Sequence, residues 1–205
     1  MSKTKIAVLV SGGGTNLQAL LDAQESGTLR SGEIVLVVSN KPGAFALTRA
    51  ANAGVEALTL TRAECGGQEG FEQALNAALD ARGVELIILA GFLSILSADF
   101  TQRWENRILN VHPSLIPSFC GKGFYGLKVH EAALARGVKY TGATVHYVNH
   151  IPDGGQILLQ KPVAVLPGDT PEVLQRRVME QAEWILLPRA AELVARGIAE
   201  EGESK

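Results

Sequence analysis

The sequence predicts a doubly wound α/β fold, Rossmann-like, with a mostly parallel sheet, helices on both faces and antiparallel strands in the C-terminal half. Short runs of apolar and often β-branched residues recur through the first half of the chain, and helical patterns separate them. These runs are almost continuously apolar, which is typical of strands buried on both faces of a parallel sheet. Alternation of strand and helix then favours right-handed crossovers.

The first half supplies the parallel part of this sheet. We predict strands at 5–10, 33–39, 55–60 and 85–91, and helices at 16–24, 44–53 and 69–82. A further apolar run, RILNV, begins at Arg107 and ends shortly before Pro113.

The second half changes character after that run. A glycine-rich loop at 118–128 precedes a short helix at 129–136, and segments 139–148 and 156–166 are two strands that we expect to be antiparallel. Thr170 suits the N-cap of a long final helix, and Pro171 suits its first position. Apolar residues recur at helical spacing through about Ile198, and 199–205 form a polar tail.

Composition limits the class of protein. The 205 residues suit one domain, and 46% hydrophobic with 20% charged residues is ordinary for a globular chain. A formal net charge of −2 gives no general attraction to nucleic acid or anionic membrane. Cys65 and Cys120 lie far apart and form neither a zinc pattern nor a disulfide framework. With no signal peptide and no membrane-length apolar run, we expect a cytoplasmic protein.

The first strand runs into a glycine-rich turn, SGGGTNL, that precedes a helix. Glycines let the backbone approach a ligand, and N–H groups at a helix start favour an anion such as phosphate. Gly14, Thr15 and Asn16 would supply the donors. The stretch matches neither GxGxxG nor a P-loop, so a tight turn without a ligand remains the alternative.

Asn110 and His112 stand two residues apart at the end of an apolar run. In an extended chain such side chains point to the same side, and Pro113 ends the strand after them. Their position is the carboxyl end of a strand, where ligands bind in sheets of this class. For His130, His146 and His150 we expect structural or surface roles.

Asp153 lies in a tight PDGG loop whose glycines permit close approach. A carboxylate beside a histidine favours the imidazolium and raises its pKa. A charged imidazole and an amide NH₂ together form an oxyanion site, and Asp153 can receive a proton. Direct acyl transfer or hydrolysis without a metal is thus one open interpretation; an acyl-enzyme on Cys120 and a metal site are weaker ones.

Six motifs carry a resemblance that runs from about Ile6 to Gly197. SGGGTNLQAL, LAGFLSIL, ILNVHPSLIPSF, TGATVHYV, DGGQILLQ and AEWILLP follow one another. In this order they resemble the phosphoribosylglycinamide formyltransferases, a folate-dependent family. The resemblance implies transfer of a formyl group from 10-formyltetrahydrofolate to the amine of glycinamide ribonucleotide in purine biosynthesis, with no metal.

The resemblance also implies roles for individual residues. Asn110 and protonated His112 would stabilise a tetrahedral oxyanion, while Asp153 raises the histidine pKa and helps to move the proton. Gly14, Thr15, Asn16 and Glu183 would contact the ribonucleotide. The implied folate contacts are Leu93, Ser94, Ile95, Leu96, Asn110, Val148 and Asp153. The resemblance divides the single domain 1–205 into a phosphate-binding half (1–110) and a folate-binding, catalytic half (111–198).

Three departures from the family pattern stand out. Relatives often have arginine at Ser94 and a basic residue at Gln68, so two folate contacts are in question here. The loop 118–128 is longer than the short family form, and either Lys122 or Lys128 can neutralise an anionic substrate or remain solvated.

Two alternative functions remain. A 10-formyltetrahydrofolate hydrolase or methionyl-tRNA formyltransferase usually has an additional domain, which we do not expect here, and no basic surface indicates tRNA. A non-catalytic folate or nucleotide sensor would not need Asn110, His112 and Asp153. The sequence does not fix the oligomeric state, for which we expect a monomer or weak homodimer.

Overall fold

A computed structural model describes residues 2–203 and contains a mixed seven-stranded sheet in the order β3-β2-β1-β4-β5-β6-β7. The strands are β1 (Thr4–Val10), β2 (Gly32–Ser39), β3 (Glu56–Thr59), β4 (Leu86–Leu89), β5 (Ile108–His112), β6 (Tyr140–Tyr147) and β7 (Ile157–Ala164). The pairs among β1–β5 are parallel, whereas β6 is antiparallel to both β5 and β7. The predicted fold class is confirmed.

Helices cover both faces of this sheet. They are α1 (Thr15–Glu25), α2 (Phe45–Asn52), α3 (Gln68–Asp80), α4 (Ala98–Arg103), α5 (Leu127–Arg136), α6 (Pro171–Val178) and α7 (Trp184–Glu203). Ile6, Val8 and Val10 of β1 pack in a core that includes residues of α1 and α7. Ala7 and Leu9 face a second core with residues of α3 and α4. Burial on both faces explains why the strand sequences are continuously apolar.

The short helix α4 was not predicted. Its N-cap is Ser97, whose side chain accepts a hydrogen bond from the Phe100 N–H at 3.1 Å. Asp99 lies in the first turn, where a negative charge complements the helix dipole. Six residues give too little periodicity to distinguish a helix from a loop.

The predicted C-terminal helix contains a π-helical turn, Met179–Glu183, between α6 and α7. Thr170 caps α6 as expected, since its side chain accepts from the Val173 N–H. In the π turn the Trp184 N–H donates to Met179 O, five residues back. This extra residue changes the phase of the helix. The helix continues through most of the predicted polar tail to Glu203, while 204–205 lie outside the described residues.

Two further features are the state of the cysteines and the absence of a membrane-length helix among residues 2–203. Cys65 and Cys120 are free thiols, and each is half-buried. Between residues 2 and 203, no helix combines the length and apolar character needed to cross a membrane.

Candidate active site

Strand β5 brings Asn110 and His112 to the same face of the sheet. The alternate residues Leu109 and Val111 belong to the core on the other face. His112 is buried, with 4% of its surface exposed, while Asn110 is half-buried. The two side chains are therefore neighbours at the carboxyl end of a central strand, as their spacing predicted.

Asp153 completes this cluster from the loop between β6 and β7. Its Oδ2 atom lies 3.5 Å from His112 Nδ1 and accepts a hydrogen bond from the Gly121 N–H at 2.8 Å. The loop packs so closely that a Cβ on Gly155 would lie 1.7 Å from Tyr147 O. Glycine at this position allows the approach that brings together the three residues selected from the sequence.

The hydrogen bonds of His112 define which nitrogen faces Asp153. His112 Nε2 lies 2.8 Å from the carbonyl oxygen of Phe119. A carbonyl can only accept, so Nε2 carries the proton of the neutral ring. A second proton would then bind Nδ1, the nitrogen that faces the Asp153 carboxylate, and would produce an imidazolium paired with that carboxylate.

His146 belongs to the same cluster, although sequence reasoning assigned it a structural role. It lies directly opposite Asn110 in the antiparallel β5–β6 pair. Its Nδ1–H donates to Tyr147 O at 2.8 Å, so the neutral ring accepts at Nε2 from Asn110 Nδ2 at 3.2 Å. The same Nε2 is 3.5 Å from Asp153 Oδ1. Only the strand register reveals this neighbour, and the sequence does not give that register.

The electrostatics of the cluster keep Asp153 ionised. Burial raises the pKa of this carboxyl, but the polar contact with His146, the His112 charge and the Gly121 N–H together lower it below its usual value. The cluster thus presents a carboxylate at neutral pH beside two imidazoles. Within residues 2–203, no group of three or more His, Cys, Asp or Glu side chains could hold a metal ion.

One cavity of about 650 Å³ joins the cluster to the glycine-rich turn. Its walls include the candidate residues Leu93, Ser94, Ile95, Thr15, Asn16, Asn110, His112, Asp153 and Glu183. A smaller adjoining cavity of about 120 Å³ shares Asn110 and Asp153 and adds Leu96 and Val148. Candidates that are distant in sequence therefore surround one connected space.

Thr15 and Asn16, which follow the glycines of the turn, line the other end of the large cavity, whereas Gly14 is not part of its wall. Gly14 is the N-cap of α1 and adopts a left-handed conformation, with φ of 72°. Across the described residues, no protein acceptor is recorded for the backbone N–H groups of Gly13, Gly14 and Thr15. Unpaired N–H groups at a helix start form an anion-binding concavity.

Residues 4–190 match the family described as formyl transferase. The chain belongs to the formyl transferase family. A phosphoribosylglycinamide formyltransferase from Haemophilus influenzae is 40% identical over 90% of this chain and 84% of its own length. A solved glycinamide ribonucleotide transformylase from Symbiobacterium toebii has a TM-score of 0.88 and 42% identity, and covers 95% of this chain and 89% of its own.

A longer relative contains the same region within a larger protein. The trifunctional purine biosynthetic protein adenosine-3 of Gallus gallus is 45% identical over 99% of this chain. The chain spans 20% of the length of that relative.

Asn16 and Glu183 meet at the glycine-rich end of the cavity. Asn16 Nδ2 donates to Glu183 Oε2 at 2.7 Å, and only 6% of Glu183 is exposed. Burial raises the pKa of Glu183 to about 7, although the Asn16 hydrogen bond acts in the opposite direction. Glu183 is the last residue of the π-helical turn, a feature that often occurs at functional sites.

Loop 93–97 is held in place by side chains that sequence reasoning did not connect. Arg62 Nη2 and Gln68 Nε2 both donate to Ile95 O, at 2.9 and 3.2 Å. The buried Glu72 carboxylate accepts from the Ser97 N–H at 2.7 Å and from its hydroxyl. Gln68, noted as a departure from the family, thus helps to anchor this loop.

The loop before α5 forms another wall of the cavity. Lys122 lines this wall, whereas Lys128 Nζ lies 4.6 Å above the Tyr125 ring and donates to its hydroxyl. Helix α5 begins two residues earlier than predicted. His130 is fully buried in α5 and also lines the cavity; burial, with the nearby His112 charge, lowers its pKa to about 4.

Proposed function

We propose that the protein transfers a formyl group from 10-formyltetrahydrofolate to the amine of glycinamide ribonucleotide. The products are formylglycinamide ribonucleotide and tetrahydrofolate, in purine biosynthesis towards IMP. The observation that carries this proposal is the placement of Asn110, His112 and Asp153 on a cavity that extends to an unpaired glycine-rich turn. The names of the bacterial relatives support the same reaction.

The chemistry begins with the amine lone pair, which attacks the formyl carbon. The new C–N bond forms as the carbonyl electrons move to oxygen, and the Asn110 NH₂ and the His112 imidazolium stabilise the resulting oxyanion. The amine loses a proton to Asp153, directly or through water. Asp153 then gives this proton to N10 of the folate, directly or through water, as the C–N10 bond breaks and the formyl carbonyl re-forms, which returns Asp153 to its carboxylate form.

The histidine geometry supports this role. Phe119 O occupies the Nε2–H of His112, so Nδ1 is the nitrogen available to the reaction and to Asp153. The negative Asp153 carboxylate stabilises the imidazolium in a buried setting where charges interact strongly. We assign His146 a positioning role, because its Nε2 contacts both the Asn110 amide and the Asp153 carboxylate.

The substrates would occupy different parts of the cavity. We assign the ribonucleotide phosphate to the N–H groups around Gly14, Thr15 and Asn16, with Glu183 nearby. The folate would lie against loop 93–96, which contributes Leu93, Ser94, Ile95 and Leu96, and against Val148. The functional division near residue 110 stays a prediction, as do the monomeric or weakly dimeric state and the cytoplasmic location.

An absorbance assay of tetrahydrofolate formation tests the proposed reaction. The purified protein is mixed with 10-formyltetrahydrofolate, with and without glycinamide ribonucleotide. We expect a signal that requires the ribonucleotide, disappears in Asn110→Ala and persists in Asn52→Ala, a matched change on the exposed surface of α2. Folate release without an acceptor would instead indicate a hydrolase. Binding of either ligand without turnover would favour the sensor.

A further inference from the structure

Helix α2 contacts the glycine-rich turn from the side opposite its unpaired N–H groups. The Ala46 N–H donates to Gly12 O at 3.1 Å. Arg49 Nε–H donates to Gly13 O at 2.8 Å. Two successive carbonyl groups of the turn are therefore directed at α2.

This contact determines where the N–H groups point. In a planar trans peptide the C=O and N–H bonds point in opposite directions. With Gly12 O and Gly13 O held by α2, the N–H groups of Gly13 and Gly14 point away from that helix. They are two of the N–H groups for which no protein acceptor is recorded within residues 2–203.

The Arg49 side chain is itself held at several points. Its Nη1 donates to Gln18 Oε1 of α1 at 2.9 Å, and its guanidinium carbon lies 4.9 Å above the Phe45 ring. The backbone beneath it is tightly packed, because a Cβ on Gly14 would lie 2.6 Å from Ala46 Cβ. Arg49 thus joins α1, α2 and the turn in one fixed arrangement.

We propose that Arg49 is a positioning residue for recognition of a phosphomonoester. It fixes the Gly13–Gly14 peptide with its N–H towards the phosphate, and its cation adds favourable potential behind the turn. In the described part of the chain no ion pair of Arg49 is found, and the carboxylate of Asp22 is connected to it only through Gln18, whose Nε2 donates to Asp22 Oδ1 at 2.8 Å. This inference rests on the phosphate position in the proposed function and adds the residue that maintains it.

The test compares ribose 5-phosphate binding by calorimetry with steady-state kinetics. Arg49→Met removes both the hydrogen bond and the charge. We expect its Kd for ribose 5-phosphate and its KM for the ribonucleotide to rise about tenfold. The KM for the folate and the kcat at saturation should change less than about twofold, because they depend on the other end of the cavity.

Two further variants separate positioning from charge. Arg49→Lys keeps the cation without the fixed Nε–H, so we expect it to recover only part of the lost affinity. Gln18→Leu keeps Arg49 but removes the acceptor that holds its Nη1, and a smaller rise in the same Kd should follow. This second variant also tests the proposal if Arg49→Met does not fold.

Arg30→Met is the matched control, since the Arg30 side chain is 82% exposed and lies just before β2, at the N-terminal end of the parallel strands and not at the carboxyl ends where the glycine-rich turn lies. Three outcomes would overturn the proposal. Arg49→Lys could recover the full affinity for ribose 5-phosphate, or Arg30→Met could lose as much affinity as Arg49→Met. The third is a Kd for ribose 5-phosphate that is unchanged in both Arg49→Met and Gln18→Leu. Absence of ribose 5-phosphate binding by the unmodified protein would overturn it as well. If the Arg49 effect on binding persists while glycinamide ribonucleotide is not formylated, this inference stands and the proposed reaction fails.

Discussion

Two carboxyl groups on the wall of the large cavity, the half-buried Asp153 and the buried Glu183, behave in opposite ways. The pKa of Asp153 is lowered, whereas burial raises the pKa of Glu183 to about 7. Asp153 lies beside two imidazoles and accepts from the Gly121 N–H. For Glu183, the Asn16 amide is the one hydrogen-bond partner recorded within residues 2–203.

This difference shows how one cavity can serve two purposes. At the Asp153 end, the neighbouring imidazoles and the Gly121 N–H compensate the charge of the carboxylate, which can stabilise an imidazolium and can accept a proton during the reaction. At the Glu183 end, a carboxyl that is partly neutral near pH 7 would reduce the repulsion of the phosphate that we assign to the backbone N–H groups. The first end is built from side-chain chemistry and the second mainly from backbone geometry.

The largest effect should come from removing the charge of Asp153. Asp153→Asn retains the side-chain shape and an oxygen for the Gly121 N–H, but it can neither stabilise the imidazolium nor accept a proton. We expect kcat to fall about 10²–10⁴-fold while both substrates still bind, as measured by steady-state kinetics and calorimetry. Asp80→Asn, at an exposed ion pair with Arg103, is the control. Equal turnover in the two variants would remove Asp153 from the mechanism.

The second prediction concerns Glu183 and the pH dependence of the free energy of unfolding. The ordinary pKa of a glutamate is 4.5, and in the folded protein that of Glu183 is about 7. Between these values the folded state binds more protons than the unfolded state, so stability falls as pH rises. The loss through this window is on the order of 3 kcal/mol. Glu183→Gln cannot ionise and should lack this contribution.

Urea unfolding at pH 5 and pH 8 measures the predicted difference. We expect the free energy of unfolding of Glu183→Gln minus that of the unmodified protein to be larger at pH 8 than at pH 5, because only the unmodified protein loses stability through this window. His130, with its pKa lowered to about 4, contributes the opposite slope below pH 6.5 in both proteins, so the comparison at each pH cancels it. The same pH dependence in both proteins would show that Glu183 is not held in a neutral form.

The sequence could predict those parts of the site that depend on local sequence, but not those that depend on pairing between distant segments. Asn110 and His112 follow from the two-residue period of a strand, and the turn at Gly14 follows from its glycines. Both features are local. The role of His146 depends on its pairing with Asn110 across two strands, and that register is not encoded in either segment alone.

Fold prediction shows a similar limit. Continuous apolar runs were enough to predict the parallel strands, because burial on both faces is determined locally. The π-helical turn at 179–183 was missed because the apolar pattern on either side is helical, and one added residue changes only its phase. Glu72 was missed because its partner Ser97 lies 25 positions away in the chain.

Glu72 adds a third carboxylate to the comparison, a buried one that anchors a loop and does not line the large cavity. Ser97 Oγ accepts from the Phe100 N–H, so its own hydrogen is directed to Glu72. In Glu72→Gln the amide can replace one accepting oxygen but not both, and loop 93–97 loses about 1 kcal/mol of anchoring. We therefore expect the smallest effect here, a rise of about fivefold in the KM for the folate with the KM for the ribonucleotide unchanged.

Glu69→Gln, on the exposed side of the same helix, should change neither constant. A change in the ribonucleotide constant of Glu72→Gln would mean that loop 93–97 serves both ends of the cavity, and the division between them would have to be abandoned.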